Sequence, residues 1–345
     1  MRTTLLRYIL YTLSSLSLCV GILFYQTFYS SNTRFVGQQE VFIPSGANME
    51  ALMEVLSPYL ESPRLFVWAA QMKGYSNRVR SGRYLLSSGA SNQKLINRLR
   101  QKSDPVLLTF NNQERLENLA GRLAQSLESD SLSFLNAMRD TKFLAEKGFT
   151  LDNALAMYLP NSYEVFWDVS PKLFCERMYD EYKRFWTATR RNQAAQQGLS
   201  LVEVSILASI VHKETAQSAE RPAVASVYLN RLRRKMKLQA DPTVIYALKK
   251  KYQNFDTVIK RVLYKDLKIA SPFNTYKVEG IPPGPIAMPD ISAITAVLEP
   301  QKHSYLYFVA NPDNPGYHLF ASSLLQHNRN KRKYTRWLNQ KRLYR

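Results

Sequence analysis

The sequence predicts an α+β protein in three parts: an N-terminal transmembrane helix, a small α/β subdomain, and a larger region of mixed helices and strands. Three observations carry this expectation. An apolar run without charges covers Tyr8–Tyr25. A strand–Gly–helix pattern occurs twice between residues 39 and 105. Beyond residue 106, apolar positions fall mostly at helical spacing, with strand-like runs at the start and near the C-terminus.

The anchor comes first. Arg2 and Arg7 precede the apolar run, and Tyr25, Phe28 and Tyr29 resemble an interfacial aromatic belt. The run is long enough to cross most of a hydrocarbon layer. Residues 1–7 are therefore expected in the cytoplasm, 8–29 in the plasma membrane, and the rest outside it. A cleaved signal peptide is the alternative, but the run is long for one and no small-x-small site follows.

Next comes the α/β subdomain, 39–105. Val41–Ile43 reads as a strand, and Asn48 is placed to cap a helix with Leu52, Val55 and Leu56 on one face. The pattern repeats with Tyr84–Leu86, a turn at Gly89, a cap at Ser91, and Leu95, Ile96 and Leu99 on a helix face.

The region 106–345 opens with a strand at Val106–Phe110, followed by a helical insertion at about 113–188 with a break at Gly148. "YLPNSYEVFWDVS" reads as a loop and "TRRNQAAQQGLS" as an exposed connection. Helices are expected over Leu201–Thr215 and Arg221–Arg234. Asp241 is placed to cap a short helix that begins with Pro242. The five prolines of "PFNTYKVEGIPPGPIAMPD" make a rigid loop, suited to lining a site. A helix at Ile291–Leu298, a hairpin from "SYLYFVANP" to "GYHLFAS", and a basic helical tail complete the chain.

Composition narrows function. The 345 residues include 47 basic and 27 acidic side chains, a net charge of +20, so an anionic partner or surface is expected. With neither zinc-finger spacing nor a Gly-rich phosphate loop, nucleic acid rests on charge alone and is not an expected partner. Cys19 lies in the apolar run, which leaves Cys175 without an intrachain partner outside it, so no disulfide framework is expected.

Glu214 is the residue that demands a reason. Leu207, Ile210, Glu214, Gln217 and Ser218 share one helix face. A carboxyl group shielded from water there would have a raised pKa, as a general acid needs. A surface carboxylate paired with Lys213 or Arg221 is the plainer reading.

The stretch "ILASIVHKETAQSAERPAVASVYLNRLRRKMKLQADPTVIYAL" closely resembles the signature of the membrane-anchored endolytic murein transglycosylase family, the YceG-like or MltG-type proteins. "YLPNSYEV", "PFNTYKVEGIPPGPIAMPD" and "YLYFVANPDNPGYHLFASSLLQHN" also look like family segments, and 39–105 looks like the family's LysM-like subdomain. The resemblance implies Glu214 as the single catalytic glutamate. It implies cleavage within peptidoglycan glycan strands, between N-acetylmuramic acid and N-acetylglucosamine, leaving 1,6-anhydro-muramic acid ends and limiting nascent strand length. It implies no cofactor and no metal, and leaves room for peptidoglycan synthases as partners at the plasma membrane. Glu220, Asn230, Gln239, Asp241, Asn274, Tyr276, His318 and Asn328 are the candidate substrate-binding or cleft residues; for Glu220 a salt bridge to Arg221 is the plainer reading. The chain departs from the family pattern at His212, at Pro160–Ser162 and at Asn111–Asn112. A non-catalytic glycan-binding scaffold is the rival class.

Overall fold

The computed structural model describes residues 2–259 and 261–341. Met1 and residues 342–345, the ends of the expected segments 1–7 and 106–345, lie outside the described residues, as does Lys260. The chain forms two compact units. The first holds the chain up to Leu108 together with Gln125–Ser129 and Tyr163–Ser170. The second holds Thr109–Ala124, Asp130–Ser162 and the chain from Pro171 onward.

In the first unit, helix α1 spans Arg2–Phe28. Its stretch Leu5–Phe28 has a mean hydropathy of 1.7 and, among the described residues, is the one unbroken helix long and apolar enough to cross a membrane. Strand β1 (Gln38–Ile43), helices α2 (Met49–Leu56) and α3 (Pro63–Met72), strand β2 (Gly82–Ser87) and helix α4 (Asn92–Arg100) follow. The two strands pair antiparallel, with Val41 opposite Tyr84. Asn48 and Ser91 accept hydrogen bonds from the backbone of Ala51 and Lys94, so both expected caps form. Leu52, Leu56, Leu95, Ile96 and Leu99 are buried with Phe66 and Tyr84, and each large apolar side chain contributes roughly 1.5–3 kcal/mol. Helix α3 had no counterpart in the sequence reading. It adds Phe66, Ala69 and Ala70 to that core.

Strand β3 (Pro105–Phe110) pairs with β4 (Asn161–Phe166), and the unit boundary falls within both strands. The loop expected at "YLPNSYEVFWDVS" is thus partly a strand: Asn161–Phe166 alternates toward Tyr163 and Val165, both buried. Helices α5 (Leu116–Ala124), α6 (Ser131–Met138), α7 (Thr141–Glu146), α8 (Pro171–Phe185) and α9 (Ala188–Gln196) account for most of the expected helical insertion and one further element. That element, α9, replaces the expected exposed connection. Thr187 caps it and Ala194 buries one side, a single apolar contact too weak to show as periodicity.

The second unit is built on α10 (Leu201–Glu214), α11 (Arg221–Arg233) and α13 (Ile291–Leu298), with α13 against both of the others. A capping box of Ser200 and Glu203 starts α10. Its residues Val204 to Val211 are all buried, as are Ala223 to Leu229 of α11. Helix α12 (Asp241–Tyr252) lies between them in sequence. The proline-rich segment is irregular and tightly held: a Cβ at Gly284 would lie 1.8 Å from the Asp152 carbonyl oxygen, so only glycine fits. Strands β5 (Tyr307–Ala310) and β6 (His318–Ala321) form the hairpin, with Phe308 opposite Phe320, and α14 (Leu324–Gln340) follows.

Candidate active site

Because α10 is buried from Val204 to Val211, its last turn is delivered in a fixed place. Thr215 then turns extended, and the chain leaves the helix at Glu214. Glu214 is half-buried, and neither Lys213 nor Arg221 pairs with it. Instead Tyr228 of α11, itself 1% exposed, donates a 2.6 Å hydrogen bond to Glu214 Oε1. The other oxygen, Oε2, makes no protein hydrogen bond among the described residues. Burial pushes the Glu214 carboxyl up to about 7; the Tyr228 hydroxyl and the Arg231 charge pull it down, and Asp241 pushes it further up.

Glu214 lines a cavity of about 300 Å³ with Tyr228, Arg231, Gln239, Asp241, Tyr276, Tyr307 and His327 among its neighbours. Asp241 is the first residue of α12 and not its cap. The capping position is Ala240, and the Asp241 carboxylate instead accepts a 2.6 Å hydrogen bond from the Tyr276 hydroxyl. Tyr276 reaches the cavity because Thr275 behind it is locked to α12, with Thr243 and Thr275 hydroxyls 2.8 Å apart and both residues fully buried. Gln239 sits at φ +52°, a left-handed conformation that costs a non-glycine residue about 1 kcal/mol. Its Oε1 accepts from Arg231 Nη1 at 3.3 Å. Arg231 also donates to the carbonyls of Leu306, Lys237 and Leu238, and its guanidinium lies over the Tyr307 ring. Burial lowers its pKa.

The fold brings Gln239, Asp241 and Tyr276 to Glu214, but not the other candidates. Glu220 is buried and does not pair with Arg221: its Oε1 accepts from the His318 backbone N–H at 2.7 Å, and its Oε2 lies 2.7 Å from His318 Nδ1. Arg221 pairs with Asp290 at 2.8 Å, beside His212. Burial opposes ionisation of Asp290, but hydrogen bonds from Arg221 and Asn112 prevail and hold it below the usual carboxylate range. Asn230 donates to the carbonyls of His303 and Tyr305. Asn274 is fully buried, with its amide nitrogen on the carbonyls of Leu267 and Ile269 and its oxygen on the Tyr276 backbone. It shapes the loop and presents no surface to a sugar. Asn328 is exposed on α14 while its neighbour His327 lines the cavity. Tyr228, Arg231, Tyr307 and His327 were missed. Tyr228 and Arg231 sit three residues apart on α11, and a tyrosine and an arginine on an otherwise apolar face were the available signal. Among the described residues no cluster of His, Cys, Asp and Glu could hold a metal ion.

A model of the YceG-like family matches residues 41–333. The chain is 30% identical over 318 residues to the endolytic murein transglycosylase of Bacillus subtilis (strain 168), covering 87% of this chain and 85% of that protein. It is 26% identical over 323 residues to the endolytic murein transglycosylase of Streptococcus pneumoniae (strain D39), covering 84% of this chain and 57% of that longer protein. The crystal structure of a YceG-like protein from Listeria monocytogenes superposes with a TM-score of 0.57 at 27% identity, covering 85% of this chain and 98% of that one.

Proposed function

This chain belongs to the YceG-like family, and we propose that it is an endolytic murein transglycosylase with Glu214 as its single acid–base catalyst. One observation carries the assignment: a carboxyl group with its pKa raised to about 7 and one oxygen free of protein partners among the described residues, at the wall of a polar and aromatic cavity. Such a group is substantially protonated at neutral pH and gives its proton without a large penalty.

The reaction proceeds on the glycan strand as follows. Glu214 donates its proton to the glycosidic oxygen as the bond from muramic acid C1 to that oxygen breaks. Positive charge builds on the sugar ring near the Glu214 and Asp241 carboxyl groups. The resulting Glu214 carboxylate removes the proton from the C6 hydroxyl of the same sugar, and O6 closes onto C1. The products are a strand with a free 4-hydroxyl and a strand with a 1,6-anhydro end, and Glu214 is again protonated. The nucleophile belongs to the substrate, so a second catalytic carboxylate is not required, unlike hydrolysis by two flanking carboxylates. Holding the sugar against Tyr276 and Tyr307 supplies orientation in place of a bound water.

We further read α1 as a single-pass plasma-membrane anchor with the chain that follows it outside the cytoplasm, and the β1–β2 module as the LysM-like part that positions glycan. Cleavage inside nascent strands would limit their length. Mass spectrometry of purified glycan treated with the full-length protein tests the reaction. Anhydro-muramic ends are expected; reducing muramic ends would make water the attacker and Asp241 the first second carboxylate to examine.

A further inference from the structure

The +20 charge is not explained by the catalytic cavity, and four cations converge elsewhere. In the first unit, Lys73 follows α3, Arg78 and Arg80 lie in the loop to β2, and Arg100 ends α4. With Gly74 they line a concavity of about 420 Å³. Among the described residues none of the four has a carboxylate within 4 Å, whereas the nearby Arg83 and Arg98 are paired with Glu40 and Asp104. The negative ends of α3 and α4 account for Lys73 and Arg100, and Arg100 also donates to the Lys73 carbonyl. They do not account for Arg78 and Arg80.

A second feature runs into this pocket. Arg64, Trp68 and Met72 share the outer stripe of α3, spaced by four residues. Trp68 is 46% and Met72 55% exposed, while Phe66, Ala69 and Ala70 on the other face are buried.

The third feature is where this unit meets α1. Thr27 and Phe28 of α1 are buried in it, and Asn92 at the start of α4 donates to the Thr27 carbonyl at 2.8 Å. Asn32, just beyond α1, exchanges hydrogen bonds with Ser62 at the start of α3. Both helices thus start at the exit of α1 and end, after about 15 Å of α3, at the four cations.

We propose that the first unit lies on the bilayer through α3, with Trp68 and Met72 in the interface and Lys73, Arg78, Arg80 and Arg100 holding the phosphates of anionic lipid headgroups. The proposal rests on the reading of α1 as a membrane anchor. An interfacial tryptophan beside a cationic patch is the combination a lipid surface rewards. A soluble polyanion would fill the pocket and leave the Trp68–Met72 stripe uncovered. A second copy of the chain would cover the stripe and bring two unneutralised cation clusters together. The contact sets the attitude of this unit against the membrane, not merely its tether.

The test uses the full-length protein in vesicles of phosphatidylcholine, with or without phosphatidylglycerol, carrying lipids brominated near the headgroup. The tryptophan fluorescence lost in W68F but present in wild type isolates Trp68. Bromolipid should quench this component, more strongly with phosphatidylglycerol, and R78Q and R80Q should each weaken the docking about fivefold. Flotation with the vesicles but no Trp68 quenching overturns the proposal and leaves the anchor standing. Failure to float overturns both. Arginine-dependent binding of inorganic polyphosphate without Trp68 quenching assigns the pocket to a soluble polyanion and overturns the proposal. Trp68 shielding that depends on protein concentration and not on bromolipid assigns the stripe to a second copy, which also overturns it.

Discussion

The Tyr228 hydroxyl donates a 2.6 Å hydrogen bond to Glu214 Oε1, joining residues at the end of α10 and the middle of α11. The bond favours the ionised carboxylate and so opposes the effect of burial. It orients the carboxyl group and leaves Oε2 without a protein hydrogen bond among the described residues. Tyr228→Phe should therefore raise the Glu214 pKa above about 7. The acid form is the one needed to begin the reaction, so the alkaline fall in kcat/KM should move to higher pH. A pH profile that stays in place or moves to lower pH would show that Glu214 is not the group titrating.

Glu214→Gln keeps size and hydrogen bonding but can neither give the proton nor become the base. Anhydro product should fall by roughly 10²–10⁴ or more, with the circular dichroism spectrum unchanged. Near-normal product would end the single-glutamate assignment. In cells, full complementation by the same variant would favour the scaffold reading.

The same substitution should change stability with pH. The folded-state pKa of Glu214 lies above its ordinary value of 4.5. Between these values the folded chain holds more protons than the unfolded one, so stability falls as pH rises from 4.5 to about 7. E214Q removes that loss. It should be more stable than wild type at pH 8, by up to roughly 3 kcal/mol, and nearly equal to it at pH 4. Urea unfolding at both pH values reads the difference directly, and a variant less stable at pH 8 would contradict it.

Glu220 holds the β5–β6 hairpin by two contacts to His318. Glu220→Ala leaves the partly buried His318 groups unsatisfied and should cost roughly 1–3 kcal/mol. Glu220→Gln should recover part of that loss and retain far more activity than E214Q. Loss of chemistry equal to E214Q, in a folded E220Q protein, would make Glu220 catalytic.

For the anchor, protease added to spheroplasts should digest the chain beyond residue 30 or so. A mature N-terminus near that position would identify a cleaved signal, and full protection would reverse the orientation.

Much of the local structure was legible. The caps at Asn48 and Ser91, the apolar faces of α2 and α4, and the limits of α10 and α13 follow from side chains within a few residues of each other. Strand β4 and helix α9 were not legible. In β4 only Tyr163 and Val165 face inward, and Pro160 and Asn161 just before them carry strong turn signals. In α9 the polar composition hides a helix that tertiary packing and one cap support.

Residue order alone specified an apolar N-terminal helix, a buried helix over Leu201–Thr215 that the structure ends one residue earlier, at Glu214, and a loop rigid enough to carry Tyr276, because periodicity, capping and proline act over one or two turns. Only the tertiary structure decided what each polar group meets. Glu214 found Tyr228, 14 residues away; Asp241 found Tyr276, 35 away; Glu220 found His318, 98 away, and not the adjacent Arg221. Asn274, read as a sugar contact, was turned inward onto its own loop. Buried polar groups must be paired wherever the packing of distant segments places a partner, and no local spacing encodes that choice.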